Sequence, residues 1–291
     1  MNRLFYRIAD FDFMIENEGL NSLLLYNYIP FRVQEEEVSS LLFKVNFKEL
    51  PEEVKGKLSR SYQVDQATLF IYLGKEGCDV IARSDISGKE YKFRARNQWT
   101  SIEMNLTFQD QEEYSILNYL LMLAFIYSSS LRDTVLIHAS CVRLGEQGVA
   151  FLGNSGVGKS THSRLWLEYI EGASLLNDDQ PAVRLINGTV YLYGTPWSGK
   201  THCYKNERAR LGGLFLMKQA SENEITFLPP FIAFQRMLSS CSLMQEERTT
   251  FNCIVKTLVG IAENTKVYEL KNRPDQKAVE LSYAYSIGKS A

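Results

Sequence analysis

Residues 153–160 read G-N-S-G-V-G-K-S, and this octet constrains the fold more than any other stretch of the chain. It fits the pattern G-x-x-x-x-G-K-[ST], which has a chemical logic. Glycines allow positive φ and remove Cβ atoms, so successive backbone N–H groups can turn inward around phosphate oxygens. A helix starting at the end of such a loop adds its positive terminus. Lys159 then sets an ammonium against β- and γ-phosphates, and the Ser160 hydroxyl can ligate Mg²⁺. The candidate nucleotide-binding run is Gly153, Asn154, Ser155, Gly156, Val157, Gly158, Lys159, Ser160 and Thr161. The motif works only between a strand and a helix. Here the apolar run GVAFL precedes it and an amphipathic stretch over 158–171 follows, with Gly172 as the expected C-cap.

The rest of the chain reads as two parts divided around residue 130. In 1–130, β-branched and aromatic residues predict short strands over 4–8, 11–15, 41–47, 68–73, 79–83, 91–95 and 100–106. The acidic QDQEE at 109–113 opens a helix through about Ser129. Its apolar run, 116–127, is too short for a membrane span and reads as a core helix. In 131–291, strands are expected over 134–144, 149–152, 174–176, 214–218, 225–228 and 266–270. The clearest hairpin joins 182–186 to 189–193 through Asn187-Gly188, which favours a type I′ turn. Helices are expected over 231–245, 247–263 and from Pro274 onward. The fold class is α/β within an α+β whole: a β-rich first domain, then a mixed sheet flanked by helices.

The second acidic site is L-L-N-D-D at 175–179, at the end of a buried strand behind the glycine-loop helix. Ligand groups gather at the carboxyl ends of strands in open α/β sheets. Adjacent side chains on extended backbone point opposite ways. One of Asp178 and Asp179 can therefore face a metal while the other takes a proton from an incoming hydroxyl.

The order His138, GNSGVGKS, LLNDD resembles the core of HPr kinase and its relatives, which share a fold with ATP-dependent phosphoenolpyruvate carboxykinases. Those kinases carry a strand histidine about fifteen residues ahead of the loop and an Asp-Asp pair behind it. The resemblance covers roughly residues 131–200. It implies ATP and Mg²⁺ as cofactors, with phosphates on Lys159 and the metal on Ser160 and Asp179. It also implies Asp178 as general base, with His138 assisting that carboxylate. The implied fold is a partly curled mixed sheet with helices on one side. Two departures shift the implied substrate. Thr161 stands where these kinases have Glu, and no E-I-R-G-x-G-I-I-D stretch follows Asp179. The acceptor expected is the hydroxyl of a small metabolite or peptide, not the protein HPr. Two other classes use the same loop, a nucleotide-binding regulatory or assembly module and a plain ATPase. A GTPase is disfavoured, because the nearest match to N-K-x-D is Asn272-Arg-Pro-Asp275.

Secondary candidates lie in G-T-P-W-S-G-K at 194–200, where Lys200 is a possible phosphate contact, and in Arg208 and Arg210 beyond it. Trp197 reads as a core or rim residue, and His202 with Cys203 has no orienting third group.

Composition excludes other classes. The net charge of -2 and the absence of a Lys/Arg block argue against a nucleic-acid partner. The first nineteen residues mix charges into apolar positions, so neither a secretory signal nor a membrane partner is expected. Five scattered cysteines without a C-x-x-C pair predict reduced thiols in a cytoplasm. A homo-oligomer remains open from sequence.

Overall fold

The computed structural model describes residues 2–17, 19–199, 201–241 and 247–288. The backbone forms two compact units: Met1–Ser129 makes the body of the first, and Ser130–Met244 with Thr249–Ala291 the second. Both are mixed α+β.

The first unit carries β1 (Asn2–Ile8), β2 (Phe11–Asn17), β3 (Arg32–Val33), β4 (Leu41–Phe47), β5 (Lys57–Val64), β6 (Ala67–Gly74), β7 (Gly77–Ser84), β8 (Glu90–Arg96) and β9 (Ser101–Met104), then α1 (Glu112–Ser130). The strands form one sheet in the order β3-β1-β2-β4-β9-β8-β7-β6-β5. The apolar run of α1 is a core helix, with Leu117, Leu120, Leu121, Ala124 and Phe125 fully buried. Tyr127 stacks on Trp99 at 4.4 Å between ring centroids. No helix among the described residues is long and apolar enough to cross a membrane. Strand β5 has no counterpart in the sequence reading. Its side chains are largely exposed, so no alternation marks it, and it is held as an edge strand by backbone pairing to β6.

The second unit carries β10 (Thr134–Leu136), β11 (Ala139–Leu144), β12 (Gln147–Leu152), α2 (Lys159–Tyr169), β13 (Ser174–Asp179), β14 (Ala182–Ile186), β15 (Thr189–Tyr193), β16 (Arg208–Gln219), β17 (Glu224–Phe227), α3 (Pro230–Leu238), α4 (Arg248–Asn264), β18 (Val267–Asn272) and α5 (Gln276–Ser286). The sheet order is β10-β14-β15-β16-β12-β11-β13, with β18 beside β16 and β17 beside β18.

The single strand expected over 134–144 is broken. Ile137 donates its N–H to Pro181, opposite it, but His138 donates to Ser240, so the run of pairing with β14 ends there. β10 pairs with β14, whereas β11 lies between β12 and β13. The break has a geometric consequence. In a flat sheet β10 and β11 would stand five strand spacings apart, about 24 Å. Two intervening residues span at most about 11 Å. The link of Gln180 and Pro181 between β13 and β14 meets the same limit. The sheet must therefore curl until its two ends approach, and the Ile137-to-Pro181 hydrogen bond joins the two links.

Helices cover both faces, not one. Trp166 of α2 and Val279 of α5 pack with Val149, Phe151 and Phe215. Ala233 and Met237 of α3, with Ile254, Leu258 and Ile261 of α4, pack with Ala150, Leu152 and Leu214. Strand alternation decides this, since β12 sends alternate apolar side chains to each face. The other boundaries shift modestly. α2 ends at Tyr169 with Ile170 as its cap, ahead of Gly172. α3 ends at Leu238, and the expectation that it reaches residue 245 runs into positions outside the described residues. Asn187 and Gly188 turn the β14–β15 hairpin with φ of 49° and 78°.

Candidate functional site

Three neighbouring strands bring the sequence candidates to one edge. Asp179, at the end of β13, pairs with Ala139 at the start of β11. Ala139 pairs in turn with Leu152, the last residue of β12. The glycine loop leaves from Leu152, the aspartates close β13, and His138 immediately precedes β11. By strand spacing, Asp179 and Leu152 lie about 10 Å apart.

Gly153 opens the loop at φ 143°, where a Cβ would meet Val157 Cγ1 at 3.0 Å and the Met217 carbonyl at 3.1 Å. Asn154, Ser155 and Gly156 are exposed, and Gly158 at φ 103° caps α2. Gln219, at the end of β16, donates to the Gly156 carbonyl at 3.3 Å and tethers the exposed turn. Ser160 is half-buried and Thr161 exposed. Lys159 is buried, its Nζ donating to the carbonyls of Gly153 (2.8 Å) and Asn154 (3.3 Å). An ammonium has three N–H donors, and two are spent on loop carbonyls. Burial holds the Lys159 pKa below its ordinary value, against an upward pull from Asp179 and then Asp178. The cation thus lies within the field of both carboxylates.

The two aspartates take different partners. His138 Nδ1 meets Asp179 Oδ1 at 2.8 Å, with both side chains partly exposed. Asp178 Oδ2 accepts from the Thr201 hydroxyl at 2.7 Å. The histidine is therefore paired with the second carboxylate of the pair and not with Asp178, the partner that the resemblance implied. Pairing across β11 explains this. Residue 179 lies opposite 139, next to His138, while Asp178 lies opposite Ser140.

Asn177 organises the corner and was not singled out from sequence. It is fully buried. Its Oδ1 accepts from the backbone N–H groups of Asp179 and Gln180, each at 3.0 Å. Its Nδ2 donates to Thr195 Oγ1 at 3.1 Å and toward the Thr195 and Trp197 carbonyls. Asn followed by N–H groups two and three residues on is an Asx-turn signature, which N-D-D-Q-P could have disclosed. Ser198, Gly199 and Thr201 then lie against the aspartates. Ser198 bridges to Asp179, and the Gly199 N–H donates to the Asp178 carbonyl at 3.2 Å.

The secondary candidates divide. Trp197 is buried, and Lys200 lies outside the described residues. Arg210 pairs with Gln147 at the start of β12, whereas Leu216 pairs with Leu152 at its end. Six residues of strand, about 20 Å, separate Arg210 from the loop edge. Arg208 stands further off, over the Tyr191 ring. Neither arginine can neutralise charge at the glycine loop. Cys203 is buried with its thiol pKa raised by desolvation, and its Sγ reaches the Leu175 carbonyl at 3.5 Å, so it is no activated nucleophile.

Ser160 and Asp179 offer the hard oxygen donors that Mg²⁺ takes. No group of three His, Cys, Asp or Glu side chains among the described residues could hold a metal.

Behind the loop, α2 is anchored by His162 and Trp166. Ser282 donates to the Val279 carbonyl and accepts from Trp166 Nε1 at 2.9 Å. Its one proton is thus used, so His162 Nε2, 3.0 Å away, must be the donor to it. His162 Nδ1 is buried with no partner among the described residues. A second proton would have to sit there, and burial pushes the His162 pKa from 6.5 to about 4. Between those values the unfolded chain binds a proton that the folded chain refuses. Stability is therefore lost as pH falls through this window, by about 3 kcal/mol in all. Urea unfolding at intervals from about pH 7 to about pH 4.5 should show this slope. His162→Gln should flatten it, and an unchanged slope would contradict the assignment.

No protein-family model matches the chain, and no curated protein sequence matches it. Among solved structures, the Hpr(Ser) kinase/phosphatase from Coxiella burnetii aligns over 50% of this chain and 84% of its own. The identity is 10% and the TM-score 0.31. At that level the two share too little of their backbone course for either fold or activity to be carried across.

Proposed function

We propose that this protein is an ATP- and Mg²⁺-dependent kinase that transfers a γ-phosphoryl group to a hydroxyl of a small metabolite or peptide. The observation that carries this reading is the convergence of Lys159, the Asp178–Asp179 pair and His138 at one edge of three adjacent strands. A loop that only held phosphate would need no second carboxylate with a separate partner.

Each residue has a distinct task. The backbone N–H groups of 154–158 and the start of α2 cradle the phosphates. Lys159 exchanges its loop carbonyls for phosphate oxygens and offsets their charge. Ser160 and Asp179 would hold Mg²⁺, which supplies charge neutralisation at those oxygens. His138 is a positioning residue for Asp179, fixing that carboxylate on the metal side. Asp178, turned to the 194–204 segment, takes the proton of the acceptor hydroxyl.

Calorimetric titration of Mg·ATP into wild type and Lys159→Ala tests the reading. Micromolar to sub-millimolar binding by wild type, weakened at least tenfold (about 1.4 kcal/mol) by the substitution, is expected. Absence of binding by folded wild type would overturn it. Binding with no transfer to any hydroxyl would leave a nucleotide-binding module, and steady acceptor-free hydrolysis a plain ATPase.

A further inference from the structure

The carboxylate proposed as base already holds a hydroxyl. Thr201 Oγ1 donates to Asp178 Oδ2 at 2.7 Å, the bond an acceptor alcohol must make before it gives up its proton. The threonine is not there by a loose side-chain swing. Its carbonyl accepts from Ser198 Oγ at 2.6 Å and from the Cys203 N–H at 2.7 Å. Gly199, two positions earlier, is pinned to the aspartates. Gly199 lies so close that a Cβ there would stand 3.2 Å from the Asp178 carbonyl and 3.4 Å from Asp179 Cβ. Thr201 is nonetheless exposed, and so is its hydrogen bond to Asp178.

We infer that Thr201 is an internal phosphoryl acceptor: the chain phosphorylates itself there, and the modified threonine then leaves the base free for an external alcohol. This rests on the kinase reading above. In the step, Thr201 Oγ1 bonds to the γ-phosphorus of ATP while its proton passes to the Asp178 carboxylate. The bond from that phosphorus to the β,γ-bridging oxygen breaks, ADP departs, and Asp178 returns the proton to water. The product places a dianionic group against Asp178 and Asp179. Like-charge repulsion at hydrogen-bond range then releases Thr201 from the carboxylate.

The test is to incubate the full chain with Mg·ATP and no acceptor, then map phosphate by peptide mass spectrometry. Phosphate on Thr201 is expected, at a rate per molecule independent of protein concentration, since the acceptor is intramolecular. It should be lost in Thr201→Val, with Mg·ATP binding retained, and kept as phosphoserine in Thr201→Ser. Hydrogen exchange at the Gly199 and Cys203 amides should quicken in the phosphorylated chain, a readout independent of turnover. Wild type that binds Mg·ATP but leaves Thr201 unmodified, or is labelled elsewhere, overturns this inference alone. Wild type that does not bind Mg·ATP overturns the kinase reading and this inference together.

Discussion

Asp178→Asn should lower phosphoryl transfer by about a thousandfold while leaving Mg·ATP affinity nearly unchanged, the span a positioned general base supplies. The substitution is close to isosteric, and an amide oxygen can still accept the Thr201 hydroxyl, so the corner held by Asn177 should survive. What disappears is basicity. Because proton removal belongs to the transition state, kcat should fall with little change in KM for ATP. Quenched-flow assay of transfer, set beside calorimetry of nucleotide binding, separates the two. A parallel loss of binding would move Asp178 to the metal and leave Asp179, with His138 on it, as the base.

Trp166→Ala should cost the second unit about 3–5 kcal/mol, as for other fully buried large aromatics. The indole has no exposed surface and lies near Phe151 and Tyr283, with ring centroids 6.0 and 5.8 Å away. Truncation leaves a void between α2 and α5 and removes a donor from Ser282. Denaturant titration followed by far-ultraviolet circular dichroism measures the loss. Trp166→Phe, which keeps a ring and gives up one hydrogen bond, should recover most of it. Equal destabilisation by both would mean that the indole N–H, not the volume, anchors the helix.

The parts legible in the sequence were those specified locally. The glycine loop announces its strand and helix, Asn187-Gly188 announces its hairpin, and Asp-Asp after a short apolar run marks a strand end. The parts that escaped depend on pairings between distant residues. Nothing near His138 says that its N–H will leave the strand for Ser240, or that its ring will meet Asp179. The helices over both faces could not be seen either, because α3 and α4 show apolar stripes that do not say which side of a sheet they will cover. Strand β5 escaped for the opposite reason, having too little buried surface to leave a pattern. Arg208 and Arg210, near the aspartates in sequence, are carried away by the long ascent of β16.

The curl of the second sheet bears on how portable the site is. His138, the glycine loop, the aspartates and Thr201 all lie within one continuous stretch, 138–201, which looks transplantable. Yet β16, from beyond that stretch, stands between β15 and β12. Without it the three strands β10, β14 and β15 and the three strands β12, β11 and β13 would be two leaves with no strand between them, tied by the short links at 137–138 and 180–181 and by the Asn177 corner. A grafted fragment would keep the candidate residues on β11, β12 and β13 and lose β16, the parallel strand that supports β12 on its other side. The part that would have to move together is therefore the whole second unit, β16 included.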